Sequence, residues 1–293
     1  MKRSLIQRIV GGALFRTRAL WSDKFYLQVL YWAVLGERLD LKNPTTFNEK
    51  IQWLKLYDRN PLYTRLVDKI DVKSWVAERI GGDTIIKTLG VWDKPEDIDF
   101  DSLPSQFVLK CNHDSGGLCI CTDKSTFDIE SAKDKLRKSL KCNYFLAGRE
   151  WPYKNVKKRI FAEEYLAEEG NMELKDYKFF CFNGEVKFLK VDFNRFIDHH
   201  ANYYSLDWNL LPFGELHCPP KPESILVCPP NFDKMLSYAT ILSKDIPFVR
   251  IDFYNNNGRI YFGEITFFPA GGMGKWSPNK VDEYLGNFIE IEI

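Results

Sequence analysis

Residues 249–266 read VRIDFYNNNGRIYFGEIT and carry the clearest structural pattern in the sequence. Two apolar runs flank the turn residues NNNG, which predicts two antiparallel strands joined by a tight turn. Because alternate residues of a strand share a face, Arg250 and Asp252 lie together on the first strand, and Glu264 and Thr266 on the second. The two carboxylates could approach one Mg²⁺ ion or form a cross-strand salt bridge. In such apolar surroundings an unpaired acid would be costly, so they need a cationic partner.

A second hairpin is predicted upstream, where residues 177–183 and 186–191 flank Asn183-Gly184. Asp176 and Lys178 share a face at its start. The remaining pattern predicts strands at 84–86, 107–110, 118–121 and 160–166, and helices at 47–57, 67–79, 131–140 and 232–244. Thr46 followed by Glu49 forms a capping box for the first of these helices. Residues 211–230 hold six prolines and are predicted to be a long loop. Helices alternating with antiparallel hairpins indicate an α+β fold.

A lysine and a turn rich in small residues form a second candidate element. The strand at 107–110 ends in Lys110, and residues 111–117 read CNHDSGG before the next strand. A lysine at a strand end can point into a site, and a turn containing glycine can expose backbone N–H groups to phosphate. The turn lacks the Walker spacing, so it is not a P-loop.

Two shorter motifs are weak when taken alone. The apolar strand that ends in Glu163-Glu164-Tyr165-Leu166 can present backbone groups to the edge of an adenine ring, or it can simply end at the surface. Asp68-Lys69 stands at the start of the predicted helix at 67–79.

The composition excludes some classes of protein. The net charge of +1 gives no indication of a nucleic-acid partner. No apolar run is long enough to cross a bilayer, and the pattern of a signal peptide is absent. The seven cysteines match no zinc spacing, and we interpret them as buried free thiols in a reducing cytosol.

Residues 1–18 contain five basic residues and no acidic one. Apolar residues recur among them at helical spacing, which predicts an amphipathic helix. Such a helix can contact an anionic membrane surface peripherally, or it can pack on the body of the protein.

In chain order, these motifs resemble the ATP-grasp superfamily. Its R-x-D…E-x-N pattern is represented by Arg250, Asp252, Glu264 and Thr266, although Thr266 stands where most ATP-grasp ligases have Asn. More narrowly, the sequence resembles the TupA-like ATP-grasp family over roughly residues 35–290. The motifs that carry this narrower resemblance are FNEKIQWLK at 47–55, NHDSGG at 112–117, DYKFF at 176–180 and FGEIT at 262–266.

The resemblance implies an ATP-grasp fold, in which two α+β subdomains with antiparallel sheets clasp ATP. A helical region at 1–80 would precede a small subdomain at 81–165 and a large subdomain at 166–293. The implied cofactors are ATP and Mg²⁺. The residues implied to bind the nucleotide are Lys69, Lys110, His113, Asp114, Ser115, Gly116, Gly117, Glu163, Glu164, Tyr165, Leu166 and Asp176. Asp252, Glu264 and Thr266 would hold metal, with a second ion in doubt because threonine is the weaker ligand. Arg250 and Lys178 would be catalytic, and Arg195 would be a substrate clamp or a surface arginine.

The implied activity is ATP-dependent ligation of a carboxylate to an amine through an acyl phosphate. The family implies cytoplasmic enzymes of capsule and surface-polysaccharide assembly that join an amino acid or amine to a uronic acid carboxylate. Two alternatives stay open at this point. The first is a glycosyltransferase, because Asp97, Asp99 and Asp101 match its D-x-D motif by letter. The second is a protein that binds ATP without turning it over.

Overall fold

The computed structural model describes residues 3–114, 116–166, 174–194 and 197–292. Within these ranges the strands form a four-stranded sheet, a five-stranded sheet and a two-stranded ribbon. The strands are β1 (Thr88–Trp92), β2 (Phe107–Cys111), β3 (Leu118–Cys121), β4 (Ile160–Glu164), β5 (Asp176–Phe182), β6 (Glu185–Phe193), β7 (His200–Tyr204), β8 (Gly214–Glu215), β9 (Phe248–Asn256), β10 (Arg259–Thr266) and β11 (Trp276–Ser277). The helices are α1 (Leu5–Arg16), α2 (Asp23–Leu35), α3 (Phe47–Tyr57), α4 (Leu62–Val67), α5 (Val72–Ile80), α6 (Ile129–Lys141), α7 (Tyr144–Gly148), α8 (Phe232–Ser243) and α9 (Val281–Gly286).

The four-stranded sheet has the order β1-β4-β2-β3, with antiparallel neighbours throughout. Helix α6 packs against β2 and β3, and its Leu136 joins a buried cluster with Phe107 and Leu109. Because strand residues alternate, Lys110 points to the opposite side from this cluster. The packing of α6 therefore leaves the other face of the sheet for a site.

The five-stranded sheet has the order β10-β9-β5-β6-β7. Helix α8 covers one face, where Phe179 stacks 6.0 Å from Phe232. On the other face, Phe182 and Phe248 pack against Phe47 of α3. The same face becomes charged toward the other end of β5 and β9, at Asp176, Lys178, Arg250 and Asp252. This charged end faces the four-stranded sheet.

Both predicted hairpins are confirmed. Strands β5 and β6 pair on either side of Asn183 and Gly184, whose φ angles of 49° and 81° are the left-handed values that such a turn requires. Strands β9 and β10 pair on either side of a two-residue turn at 257–258. The capping box is also confirmed, since the Thr46 side chain accepts from the Glu49 backbone N–H.

Two predicted elements are wrong, and a third has a different end. The helix predicted at 67–79 is two helices, because the Asp68 side chain accepts from the backbone N–H groups of Ile70 and Asp71 and holds a turn between α4 and α5. The strand predicted at 84–86 is a single 3₁₀ turn at Gly82–Thr84, and the strand begins later, at Thr88. The strand predicted to reach residue 166 ends at Glu164.

The two large sheets fall within 81–165 and 166–293, and α1 to α5 fall within 1–80. The subdomain boundaries themselves remain a proposal. No helix in the described ranges is both long enough and apolar enough to cross a membrane. All seven cysteines are free, and five are buried as predicted, but Cys142 is exposed and Cys228 is half-buried.

Candidate active site

A cleft of about 280 Å³ lies between the charged end of the five-stranded sheet and the open face of the four-stranded sheet. Three of its lining residues are lysines and five are acidic, so it suits a polyanion together with a cation. The lining residues are Lys69, Lys110, Cys111, Asp114, Gly117, Leu118, Phe161, Glu163, Asp176, Lys178, Asp252, Tyr254, Gly263 and Glu264.

The two carboxylates predicted to hold metal lie opposite each other in the cleft wall. Glu264 pairs with Asp252 across β10 and β9. A β-bulge makes this possible, because the register shifts between Phe262 and Glu264. Without the shift, Phe262 and Glu264 would share a face. At Gly263, an added Cβ would lie 3.1 Å from the Asp252 backbone oxygen, so the bulge suits a residue without a side chain.

Arg250 ties the acidic pair together. Its Nε donates to Asp252 Oδ1 at 2.7 Å and its Nη2 donates to Asp252 Oδ2 at 2.6 Å. The same Nη2 lies 3.1 Å from Glu264 Oε1 and 3.1 Å from Thr266 Oγ1. Arg250 and Thr266 are thus beside the cleft but do not appear among its lining residues. The cross-strand salt bridge considered from the sequence is therefore present in addition to the paired carboxylates.

The two acids differ in their pKa values. Burial raises the pKa of Asp252 to about 6, although Arg250 and Lys178 act in the opposite direction. Burial also acts on Glu264, but Lys69, Arg250 and Lys178 outweigh it and lower the pKa of Glu264 to about 2. Glu264 is therefore ionised at neutral pH, and a divalent cation in the cleft would favour the ionised form of both acids.

Lys178 links the acidic pair to two further acids. Its Nζ contacts the Asp176 carboxylate, lies 2.6 Å from Asp192 Oδ2 and lies 3.8 Å from Asp252 Oδ2. The Lys178 side chain is buried, so these contacts hold its charge at a defined position in the cleft wall. Asp192 was not predicted, although it stands in an apolar strand where a buried charge signals a partner.

Behind this network lies a second buried ion pair that was also missed. Lys190 Nζ lies 2.6 Å from Glu215 Oε2 and 3.6 Å from Asp192 Oδ1. The Tyr203 hydroxyl donates to Glu215 Oε2 at 2.9 Å. Glu215 belongs to the predicted proline-rich loop, and nothing in its local sequence signals this contact.

On the opposite wall, Glu163 bridges two lysines. Its carboxylate lies 2.6 Å from Lys110 Nζ and 2.6 Å from Lys73 Nζ. Burial would raise the pKa of Glu163, but the two lysines lower it. Lys73, which also donates to Thr88 Oγ1 at 2.7 Å, was missed because a lysine on a helix usually faces solvent. The Glu163 side chain therefore positions Lys110, a role that the sequence did not indicate.

The loop between β2 and β3 is anchored through Asp114. Asp114 accepts from Gly117 N at 3.1 Å and from the Ser139 hydroxyl, and its backbone oxygen accepts from Lys69 Nζ. Lys69 also approaches Glu264 Oε2 at 3.8 Å, which links this loop to the metal side of the cleft.

Several predicted site residues do not line the cleft. His113 is buried and does not appear in the cleft lining, and burial lowers its pKa, so its part in nucleotide binding stays a prediction. Gly116 also lies outside the lining. Glu164 instead pairs with Lys87 at 3.6 Å, near the strand end. Tyr165 and Leu166 follow β4 and are half-buried outside the lining, so the adenine contact through residues 163–166 stays a prediction. Ser115 and Arg195 lie outside the described residues.

The D-x-D letters do not form a site among the described residues. Asp97, Asp99 and Asp101 are exposed, and Asp99 Oδ1 accepts from the backbone N–H groups of Asp101 and Ser102. Asp99 stabilises a surface turn, and the three acids give the glycosyltransferase alternative no support.

A cleft between two antiparallel sheets, lined by lysines on both walls and by paired acids on one, is the arrangement of an ATP-grasp protein. The family model for TupA-like ATPgrasp matches residues 49–290. The chain belongs to this family, and the fold class expected from the sequence is confirmed.

The chain is distantly similar to solved structures of two enzymes. The D-alanine–D-alanine ligase from Bacillus anthracis, complexed with ATP, is 16% identical with a TM-score of 0.40, covering 69% of this chain and 54% of that chain. The ADP complex of N5-carboxyaminoimidazole ribonucleotide synthetase is 14% identical with a TM-score of 0.45, covering 75% and 50%. The chain therefore spans about half the length of these proteins. No curated protein sequence matches it.

Proposed function

We infer that this protein is an ATP-dependent ligase that activates a carboxylate as an acyl phosphate and transfers the acyl group to an amine. One observation carries the inference: Lys69, Lys110 and Lys178 converge on a cleft that also contains the opposed carboxylates Asp252 and Glu264. Transfer of a phosphoryl group between anions requires positioning and charge neutralisation above all, and this set of residues provides both.

The residues fit Mg²⁺ together with a nucleotide. Asp252 and Glu264 would hold the ion, because hard oxygen ligands on adjacent strands match its preference. Arg250 and Lys178 already contact the Asp252 carboxylate, but a carboxylate can accept several contacts at once. Thr266 Oγ1 already bonds to Arg250 and Glu264, which argues for one ion held mainly by the two acids. When bound, Mg²⁺ would neutralise phosphate charge.

In the proposed reaction, a carboxylate oxygen attacks the terminal phosphorus of ATP, the bond from that phosphorus to ADP breaks, and an acyl phosphate forms. The amine then attacks the acyl carbon, the bond to phosphate breaks, and the amide, phosphate and a proton are released. The three lysines would hold phosphate oxygens through both steps. Arg250 would stabilise the negative charge that develops on the acyl phosphate and on the tetrahedral intermediate.

The finer assignment rests on the family. We infer that the carboxylate belongs to a uronic acid, that the amine is an amino acid or a related amine, and that the product enters a capsule or surface polysaccharide. A cytoplasmic location accords with a reaction that consumes ATP. The net charge of +1 gives no indication of a nucleic-acid partner.

Product analysis with a panel of substrates tests the inference. The protein is incubated with Mg-ATP, individual uronic acids and individual amines, and the nucleotide products are separated. We expect ADP and phosphate to form only when both substrates are present, and we expect hydroxylamine to replace the amine and yield a hydroxamate. The Lys110→Ala variant should release less ADP in the same panel when Mg-ATP is limiting, because its nucleotide affinity is lower. Release of UDP from a nucleotide sugar, or of AMP from ATP, would contradict the proposed function.

A further inference from the structure

Helix α1 exposes an apolar stripe along its whole outer side. Leu5, Ile6 and Ile9 are 70%, 65% and 61% exposed. Just beyond the helix, Leu20 is 79% exposed and is followed by the exposed Trp21. Clustered large apolar side chains of this kind mark an interaction surface, whereas scattered ones need no explanation.

The stripe is a fixed feature of a folded helix. The buried Leu14 anchors α1 on α2, and Gln7 Nε2 donates to the Trp32 backbone oxygen at 3.0 Å. Ser4 and Gln7 form a capping box at the helix start. Residues 7, 11 and 14 therefore face the body, and the helical repeat directs residues 5 and 9 away from it.

The charges around the stripe are all of one sign. Arg3, Arg8, Arg16 and Arg18 surround the apolar residues, and no acidic residue occurs between positions 3 and 22. Near Arg3, a cavity of about 590 Å³ is also lined by His217 and Lys275, with no acidic residue in its lining. This end of the molecule therefore favours an anionic partner with an apolar layer beneath its charged groups.

We propose that α1, together with the exposed Leu20, Trp21 and Phe25, lies in the surface of an anionic phospholipid bilayer, while Asp23 stays paired with Arg149 at 3.0 Å. Apolar side chains on one side of a helix flanked by arginines match the headgroup and acyl layers of such a surface. A second copy of the chain fits less well, because it would bring two sets of four arginines together, and positions 3–22 contain no acidic residue to pair with them.

Vesicle co-sedimentation tests the proposal on the full chain. The protein is mixed with vesicles of phosphatidylcholine alone, or of phosphatidylcholine with one quarter phosphatidylglycerol, at low and high salt. We expect binding to the anionic vesicles that weakens as salt is raised, with little binding to the neutral ones. A double variant, Leu5→Gln with Ile9→Gln, should bind at least tenfold more weakly, because each burial of a large aliphatic side chain is worth about a factor of ten.

The matched control is Ile225→Gln with Val227→Gln, since these residues are 88% and 83% exposed outside the basic segment and should not affect binding. As a second readout, brominated phosphatidylglycerol should quench tryptophan fluorescence less in Trp21→Phe than in the unchanged protein. Equal pelleting of the α1 variant and the unchanged protein would overturn the proposal. So would dimerisation of the unchanged protein that Leu5→Gln abolishes, without binding to any vesicle, because the stripe would then be a protein interface.

Discussion

Asp252 faces Glu264 across β9 and β10 because the register of the two strands shifts by one residue at Gly263. Before the shift Phe262 pairs with Phe253, on the face covered by α8. After it, the acidic residue turns into the cleft. The alternation of residues between the two faces of β10 is therefore interrupted at Gly263, which directs Glu264 toward the proposed metal site. Bulges commonly redirect side chains in this way beside active sites.

We predict that Glu264→Gln lowers nucleotide affinity about tenfold or more in the presence of Mg²⁺, because the neutral amide is a poor ligand for a hard cation. Calorimetric titration with ATP measures the effect, and repeating it with a chelator should remove most of the difference between variant and unchanged protein. Glu283→Gln, on the exposed side of α9, is the control. An equal loss with and without Mg²⁺ would argue against a metal role for Glu264.

Arg250→Lys should lower turnover about a hundredfold while changing ATP affinity little, because the lysine keeps the charge but loses the two-point contact needed as charge develops. Steady-state kinetics of ADP release provides the measurement, and retained circular dichroism shows that the variant keeps its fold. The exposed Arg38→Lys is the matched control. If the variant instead lost ATP affinity and kept its turnover number, Arg250 would belong to the nucleotide-binding residues.

Lys110→Ala should weaken ATP binding about tenfold, since it removes one charge-assisted contact to phosphate. The fold should survive, because Glu163 keeps Lys73 as a partner at 2.6 Å. Lys87→Ala is the control, because Lys87 pairs with Glu164, the residue after Glu163, but lies outside the cleft. Calorimetry that found equal affinities for the two variants would remove Lys110 from the nucleotide site.

Asp282 gives a prediction about stability and pH that is independent of the active site. Burial raises the pKa of Asp282 to about 6, although Asn48 donates to both of its oxygens at 3.0 and 2.8 Å. Because the folded state holds this proton more tightly than the unfolded chain, the contribution of Asp282 is full at low pH and is lost as pH rises through about 6.

The free energy of unfolding of the unchanged protein, relative to Asp282→Asn, should therefore fall between about pH 4 and pH 7, by up to about 3 kcal/mol. Urea unfolding across this range measures the difference, and the exposed Asp245→Asn serves as a control with a flat profile. A difference that stayed constant with pH would show that Asp282 titrates normally, and one that grew would show that folding lowers its pKa.

Features that depend on neighbouring residues were predictable from the sequence. The Asn183-Gly184 turn and the capping box at Thr46 each arise from local backbone requirements, and both occur as expected. The shared face of Glu264 and Thr266 was also predicted, since the bulge precedes both residues. These elements were sufficient to indicate the fold class and one wall of the cleft.

Features that depend on distant residues were not predictable. The break at Asp68 is stabilised by Asn112 and Arg159, whose side chains donate to Asp68 Oδ2 at 2.8 and 3.0 Å. Lys73 looks like a solvent-facing helix residue until β4 brings Glu163 against it. His113 was assigned to the cleft by its motif, but the packing of the loop buries its ring.

The central claim is that the cleft catalyses transfer of the terminal phosphoryl group of ATP to a carboxylate. Isotope transfer tests it most directly: an acceptor substrate labelled with ¹⁸O in its carboxylate is converted in the presence of amine and Mg-ATP, and the released phosphate is analysed by mass spectrometry. We predict one labelled oxygen in each phosphate, because the bridging oxygen of the acyl phosphate comes from the substrate and leaves with phosphorus. Product that forms while the phosphate stays unlabelled would contradict it.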